Sequence, residues 1–234
     1  MWTASILPVV KTLFFDLFNT LLSVGNVPQE VGRFTADILG LNREDWNTVC
    51  FGSGHDICSP TEHLEVIRSL AHSLDPSIPH DRIVEATRER QARFDYALLN
   101  IDTEVLETLT HIKARSIRTC LISNASTAEV AAWQNSPLSA LFDEAIFSCD
   151  CGMQKPDVRI FRHALTLLDA DPAESLFVGD GGSQEFLGAC ASGLTTVFTS
   201  QFSKPSHMQQ VRAVQGSSIN YSIKNLQGIL DIIQ

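Results

Sequence analysis

The sequence lacks a hydrophobic run long enough to cross a membrane. The longest stretch without a charged residue, Phe186 to Ser203, contains Gly, Ser, Thr and Gln, whereas a membrane-spanning helix needs about 20 mostly apolar residues. The apolar start, residues 1–10, contains no basic residue, so we do not expect a cleaved signal peptide. These absences predict a protein without membrane partners.

Basic residues are also few. The 234 residues include 17 Lys and Arg against 27 Asp and Glu, a formal net charge of −10. That charge argues against a general binder of nucleic acid or of anionic membranes. The six cysteines show neither the spacing of a small disulfide scaffold nor that of a zinc site, which favours free thiols and a cytoplasmic location. The length fits one large domain or one core with an insertion.

Hydrophobic patterning divides the chain into three stretches. Residues 12–18, TLFFDLF, predict a strand buried on both faces. The block that follows contains helical patterns only, at 29–39, 61–74 and 80–99. From about residue 100, strand patterns (117–123, 144–148, 176–180, 195–199) alternate with helical patterns (126–133, 157–168, 183–191, 225–233).

This alternation is typical of a doubly wound, Rossmann-like parallel sheet with helices on both faces. An all-helical block inserted after the first strand predicts a separate cap. The sequence therefore predicts an α/β core from residues 1–20 and 100–234, with a helical cap domain at 21–99.

Polar residues follow four of the predicted strands. Asp16 ends the first, Ser123 and Asn124 end the next, Lys155 follows the third and Asp180 ends the fourth. Ligands bind at the carboxyl ends of strands in open α/β sheets. We therefore expect one site with a nucleophile, oxyanion donors, a cation and a metal-binding carboxylate.

The same residues carry a resemblance. Residues 16–21 (DLFNTL), Ser123-Asn124, Lys155-Pro156, and Gly179-Asp180 with Glu185 resemble, in order and spacing, the four motifs of the haloacid dehalogenase-like hydrolases. The resemblance covers essentially the whole chain, and the helical block stands where a cap is inserted in one subgroup. Each motif alone is weak, but the four in order are specific.

The resemblance implies roles for the residues that bind and attack the substrate. Asp16 would be the nucleophile that forms a covalent aspartyl intermediate. Ser123 and the amides near Asn124 would hold oxygens of the transferred group. Lys155 would offset the charge that builds up between Asp16 and the bound anion.

It also implies a magnesium site. Asp180, Asp16 and the backbone carbonyl of Phe18 would bind Mg²⁺, which prefers oxygen ligands. Glu185 stands where the family commonly has Asp, and it would act through a metal-bound water.

Phe18 departs from the phosphatase pattern. In the phosphatases of this family, the residue two after the nucleophile is usually a second Asp that acts as general acid and base. Phe can do neither, and such assistance typically contributes roughly 10²–10⁴-fold to the rate. We therefore expect a Mg²⁺-dependent phosphohydrolase of a small metabolite that favours acyl or otherwise activated phosphates.

Two alternatives remain open. A 2-haloacid dehalogenase fits the aromatic residue at Phe18, because halide leaves without a proton; its fourth motif, however, has Asn where Gly182 stands. A weakly active or non-catalytic binding protein is the second alternative. The Schiff-base branch of the family needs a cap lysine, and residues 21–99 contain no Lys.

Two cap residues are weaker candidates. His55, in a glycine-flanked loop, could supply the proton that Phe18 cannot, since His titrates near neutrality. Arg33, expected on the first cap helix, could bind the anionic substrate. We expect a small-molecule substrate and a monomer or homodimer, and the sequence does not name the substrate.

Overall fold

The computed structural model describes residues 9–52 and 55–233. The expectation about a signal peptide concerns residues 1–10, of which 1–8 lie outside this range. The strands are β1 (Thr12–Phe15), β2 (Arg118–Ser123), β3 (Glu144–Phe147), β4 (Ser175–Gly179), β5 (Thr195–Thr199) and β6 (Tyr221–Ile223). The α-helices are α1 (Thr35–Leu39), α2 (Arg43–Cys50), α3 (His63–Leu74), α4 (His80–Leu99), α5 (Thr103–Ala114), α6 (Ser148–Cys151), α7 (Val158–Leu167), α8 (Glu185–Ala191), α9 (Pro205–Gln215) and α10 (Ile229–Ile232).

The six strands form one parallel sheet in the order β3-β2-β1-β4-β5-β6. Strand β1 lies near the centre, with Phe14 opposite Cys120 of β2 on one side and Phe177 of β4 on the other. The chain order reverses on either side of β1, and such a switch point opens a crevice at the carboxyl ends of the strands. The predicted Rossmann-like fold is confirmed.

Alternate residues of β1 enter two different hydrophobic clusters, because successive strand side chains point to opposite faces. Leu13 and Phe15 pack into the cluster that contains residues of α5 and α10. Phe14 packs into the cluster that contains residues of α7 and α8. The sheet is thus covered by helices on both faces, which explains the nearly continuous apolar strands.

Helices α1 to α4 occupy the chain between β1 and β2 and share a third hydrophobic cluster of their own. Within the described residues, all six strands lie outside the range 21–99. The division into a core and a cap at these boundaries stays a prediction. None of the helices in the described part of the chain combines the length and apolar character needed to cross a membrane.

The expected helix at 126–133 is wrong. Hydrogen bonds from Glu129 N–H to the Ser126 carbonyl and from Trp133 N–H to the Val130 carbonyl span three residues, so this segment forms successive turns. The ring of Trp133 packs against the ring of Phe147, and such tertiary contacts override local helix propensity.

Other differences concern shorter elements. The expected helix at 29–39 is reduced to α1, and Arg33 lies in the segment before it. Sequence patterns missed α2, α5, α6, α9 and β6. Strand β6 is three residues long and only partly buried, so it carries little hydrophobic signal.

Close packing of α8 generates a prediction. A Cβ on Gly188 would lie 2.1 Å from the carbonyl oxygen of Pro156 and 2.6 Å from the Phe161 ring, whereas a Cβ on Gly216 would meet nothing within 4 Å. We expect Gly188→Ala to lower the free energy of unfolding by about 1–3 kcal/mol. Gly216→Ala should leave it unchanged or raise it by up to about 1 kcal/mol. Urea unfolding of both variants checks this; equal effects would contradict it.

Candidate functional site

Asp16 follows β1 at the carboxyl edge of the sheet. Its backbone N–H donates to the Val178 carbonyl at 2.9 Å, and the residue is only 6% exposed. The hydroxyl of Thr20 donates to Asp16 Oδ2 at 2.8 Å, and the ammonium of Lys155 donates to Oδ1 at 2.5 Å. Both carboxylate oxygens are therefore oriented by buried donors.

Lys155 lies between two carboxylates. Besides Asp16, its Nζ contacts Glu185 Oε2 at 2.7 Å, and Lys155 is 3% exposed. The other oxygen of Glu185 accepts the N–H of Gly181 at 2.9 Å. Gly179 permits this arrangement, because a Cβ there would lie 2.1 Å from Glu185 Oε1. Glu185 thus fixes both the lysine and the turn after β4.

Asn124 holds the backbone of Lys155. Its Nδ2 donates to the Lys155 carbonyl at 2.9 Å, and its Oδ1 accepts the Lys155 N–H at 2.8 Å. The side chain of Asn124 is therefore engaged in positioning the lysine. Ser123, directly before it, is fully buried, and its Oγ has no hydrogen-bond partner among the described residues. Such an atom is free to bind an oxygen of a bound group.

Asp180 completes a cluster of acidic side chains. Carboxylate oxygens of Asp16, Asp180 and Glu185 lie within 4.8 Å of one another, and all three residues are buried. Asp180 Oδ1 accepts the Gly182 N–H at 2.8 Å. Lys155 contacts two of these three carboxyl groups, and an all-oxygen donor set of this kind fits Mg²⁺.

Burial and the neighbouring charges shift the pKa values of these groups. Burial raises the pKa of Asp16, as does Asp180, whereas Lys155 opposes the shift. Burial likewise raises the pKa of Glu185. For Lys155, burial disfavours the charged form, but the carboxylates of Asp16 and Glu185 raise the pKa. The ammonium of Lys155 therefore stays protonated at neutral pH.

Phe18 presents an aromatic ring where an acid/base residue is expected in a phosphatase. Its ring packs edge-to-face against Phe94 of α4, with centroids 5.5 Å apart. Helix α4 therefore covers the chain segment that follows Asp16. That the backbone carbonyl of Phe18 binds a metal stays a prediction.

The two weaker candidates differ in their surroundings. The ring of His55 contacts the Cys50 carbonyl through Nδ1 at 3.1 Å, and its buried Nε2 has no partner among the described residues. Residues 53 and 54 of this loop lie outside the described range. Half-exposed Arg33 pairs instead with Glu85 and Glu89. The described contacts of Arg33 do not bring it to Asp16.

Sequence reasoning missed Thr20 and His207. Thr20 stands four residues after Asp16 and could have been noticed as a hydroxyl within the first motif. His207, near the start of α9, contacts Asp180 through Nε2, at 3.3 Å from Oδ2 and 3.0 Å from the carbonyl oxygen. The hydrogen bond to Asp180 raises the pKa of His207. The sequence signal for α9 is Pro205 at the first position of the helix, and a single proline is a weak signal.

The buried charges generate a prediction. Lys155→Met leaves the carboxyl groups of Asp16 and Glu185 buried without a cation, and we expect a loss of about 3–5 kcal/mol of unfolding free energy. Carboxyl groups whose pKa is raised in the folded state destabilise it as pH rises through that pKa. The loss should therefore be larger at pH 7.5 than at pH 5.

Urea unfolding at the two pH values measures this loss. Lys224→Met, at an exposed position, is the matched control and should change stability little. A loss in Lys155→Met that equals the control, or that does not depend on pH, would contradict the electrostatic account.

The chain is similar in sequence to a dehalogenase and to a phosphatase. (S)-2-haloacid dehalogenase 1 of Pseudomonas sp. (strain CBS-3) is 25% identical over 207 residues, covering 84% of this chain and 87% of that enzyme. Glyceraldehyde 3-phosphate phosphatase of Methanothermobacter thermautotrophicus is 30% identical over 105 residues, which span 44% of this chain and 46% of that enzyme. The matched stretch is thus about half the length of that curated relative.

A solved dehalogenase structure with an intermediate complex is similar at a TM-score of 0.69 and 20% identity, covering 97% of this chain and 99% of that chain. This likeness shows the fold. The family model for haloacid dehalogenase-like hydrolases matches residues 10–189, well over half of the chain. Since this match includes all four motifs around the buried Lys155, the chain belongs to the haloacid dehalogenase-like hydrolases.

Proposed function

We propose that this hydrolase is a Mg²⁺-dependent phosphohydrolase of a small metabolite, with Asp16 as nucleophile. The observation that carries the proposal is the cluster of Asp16, Asp180 and Glu185 against a single lysine. The excess negative charge favours a divalent cation. The named phosphatase relative supports the same reaction class.

The reaction would proceed in two steps. A carboxylate oxygen of Asp16 attacks phosphorus, the bond from phosphorus to the leaving oxygen breaks, and an aspartyl phosphate forms. Water then attacks the phosphorus of this intermediate, which releases phosphate and regenerates the carboxylate. Lys155 offsets negative charge near the attacking oxygen, and the hydroxyl of Ser123 donates to an oxygen of the transferred group.

Magnesium would be held by Asp16, Asp180 and the carbonyl of Phe18, with Glu185 acting through water, and would stabilise negative charge on the phosphoryl oxygens. Glu185 already contacts Lys155 and Gly181 with its two oxygens. Its larger contribution in this proposal is to position Lys155 rather than to bind the metal directly.

Phe18 restricts the leaving group. With no acid two residues after Asp16, the leaving oxygen departs without a proton from that position, which favours acyl and aryl phosphates over alkyl phosphates. His55, whose Nδ1 contacts the Cys50 carbonyl at 3.1 Å, stays the candidate for supplying the missing proton.

The aromatic contact between Phe18 and Phe94 favours a second candidate function, the hydrolysis of 2-haloacids. Halide needs no proton to leave, and the dehalogenase relative spans 84% of this chain. Against this reaction stands Asp180, a third buried carboxylate that repels an anionic substrate unless a cation is bound.

Phosphate release tests the reaction class. With acetyl phosphate and p-nitrophenyl phosphate, we expect turnover in Mg²⁺ that EDTA abolishes and that Asp16→Asn loses, because the amide is a poor nucleophile. Halide release from 2-chloropropionate that survives EDTA would replace the phosphohydrolase with the dehalogenase. If none of these substrates turns over above the Asp16→Asn background, both catalytic assignments are wrong.

Substitution of Phe18 tests the restriction on leaving groups. Phe18→Asp places a carboxyl group where a leaving oxygen needs a proton, and we expect kcat for an alkyl phosphate to rise at least about tenfold over Phe18→Asn. The Asn variant is the matched control, since it loses the same contact with Phe94 without gaining an acid. The rise for acetyl phosphate should be much smaller, and equal rises for both substrates would contradict the prediction.

A further inference from the structure

Helix α4 contacts the segment that follows β2 through two adjacent residues. The guanidinium of Arg90 lies 2.5 Å from Glu129 Oε1, and each side chain is 13% exposed. The amide of Gln91 donates to the Ala128 carbonyl at 2.9 Å. This pair of contacts joins residues that are almost 40 positions apart in the chain.

Glu129 uses its second oxygen within its own segment. Oε2 accepts the backbone N–H of Ser126 at 2.9 Å, which is the reach-back contact of a capping box although no helix follows. Ser126 stands three residues after Ser123, and Asn124 between them holds the backbone of Lys155. The carboxylate of Glu129 therefore constrains the segment that carries two residues of the site.

Arg90 reaches the segment after β1 indirectly, through Phe94 of its own helix. Its guanidinium carbon lies 4.5 Å from the centroid of the Phe94 ring, and Phe94 packs against Phe18, two residues after Asp16. A planar guanidinium suits this dual contact, because it stacks on an aromatic face while it donates in its own plane. Arg90 thus connects the segments that carry Asp16 and Ser123.

We propose that Arg90 and Glu129 are positioning residues, which hold the segment that follows Ser123 against α4 while α4 covers the site. This inference rests on the proposed roles of Asp16 and Ser123. Misplacement of a reacting group by 1 Å can cost about 10²-fold in rate. The pair therefore links alignment of the transferred group to the contact between α4 and the segment after β2.

Steady-state kinetics with acetyl phosphate and Mg²⁺ test the pair. We expect Arg90→Gln and Glu129→Gln each to lower kcat about tenfold, with KM changed less than about threefold, because the loss falls on alignment. The double variant should be no slower than the slower single variant, since both remove one interaction. Arg90→Lys should recover part of kcat by restoring the charge.

Arg88→Gln is the matched control: it removes the same charge from an exposed position on the same helix. Hydrogen exchange gives a readout independent of activity. Amides of residues 124–130 should exchange faster in Arg90→Gln than in Arg88→Gln. A merely structural role would lower the melting temperature without a change in kcat at 25 °C.

The outcomes separate the two proposals. An active wild type whose Arg90→Gln and Glu129→Gln variants match Arg88→Gln in kcat and exchange would overturn the positioning role alone. A wild type without turnover would overturn the proposed function and, with it, the role of the pair.

Discussion

One buried ammonium between two buried carboxylates is the constraint on which the site depends. Lys155 contacts Asp16 and Glu185, and all three side chains are almost fully withdrawn from solvent. A buried charge is tolerated only when it is paired and hydrogen-bonded. The surrounding structure meets that requirement: Asn124 holds the lysine backbone and Gly179 makes room for the glutamate.

The parallel sheet explains why these groups meet. Asp16, Asn124, Lys155 and Asp180 follow four strands whose carboxyl ends lie side by side at the switch point next to β1. Each residue comes from a different part of the chain, so no single segment contains the site. The arrangement also brings three buried carboxyl groups within 4.8 Å of one another, which is the electrostatic reason to propose a magnesium ion there.

Helix α4 covers one side of the site. It contributes Phe94 against Phe18 and Arg90 against Glu129, so one helix contacts the segments behind both β1 and β2. The aromatic contact occupies the position from which a phosphatase usually donates a proton. Under the proposed function, groups that leave without assistance are favoured; the halide of the dehalogenase relative's reaction fits this, whereas the phosphatase relative is named for an alkyl phosphate.

The sequence by itself predicted five of the six strands and the polar residues at their carboxyl ends, because buried parallel strands are apolar throughout and polar residues stand out where they end. It did not determine the turns at 126–133, where packing of Trp133 overrides a helical pattern, or helix α9, whose His207 reaches Asp180 across the fold. The engagement of Asn124 with Lys155 and of Arg90 with Glu129 was also decided only by tertiary structure. Such pairs join residues about 30 or 40 positions apart, and local sequence patterns carry no information about which distant partner a side chain meets.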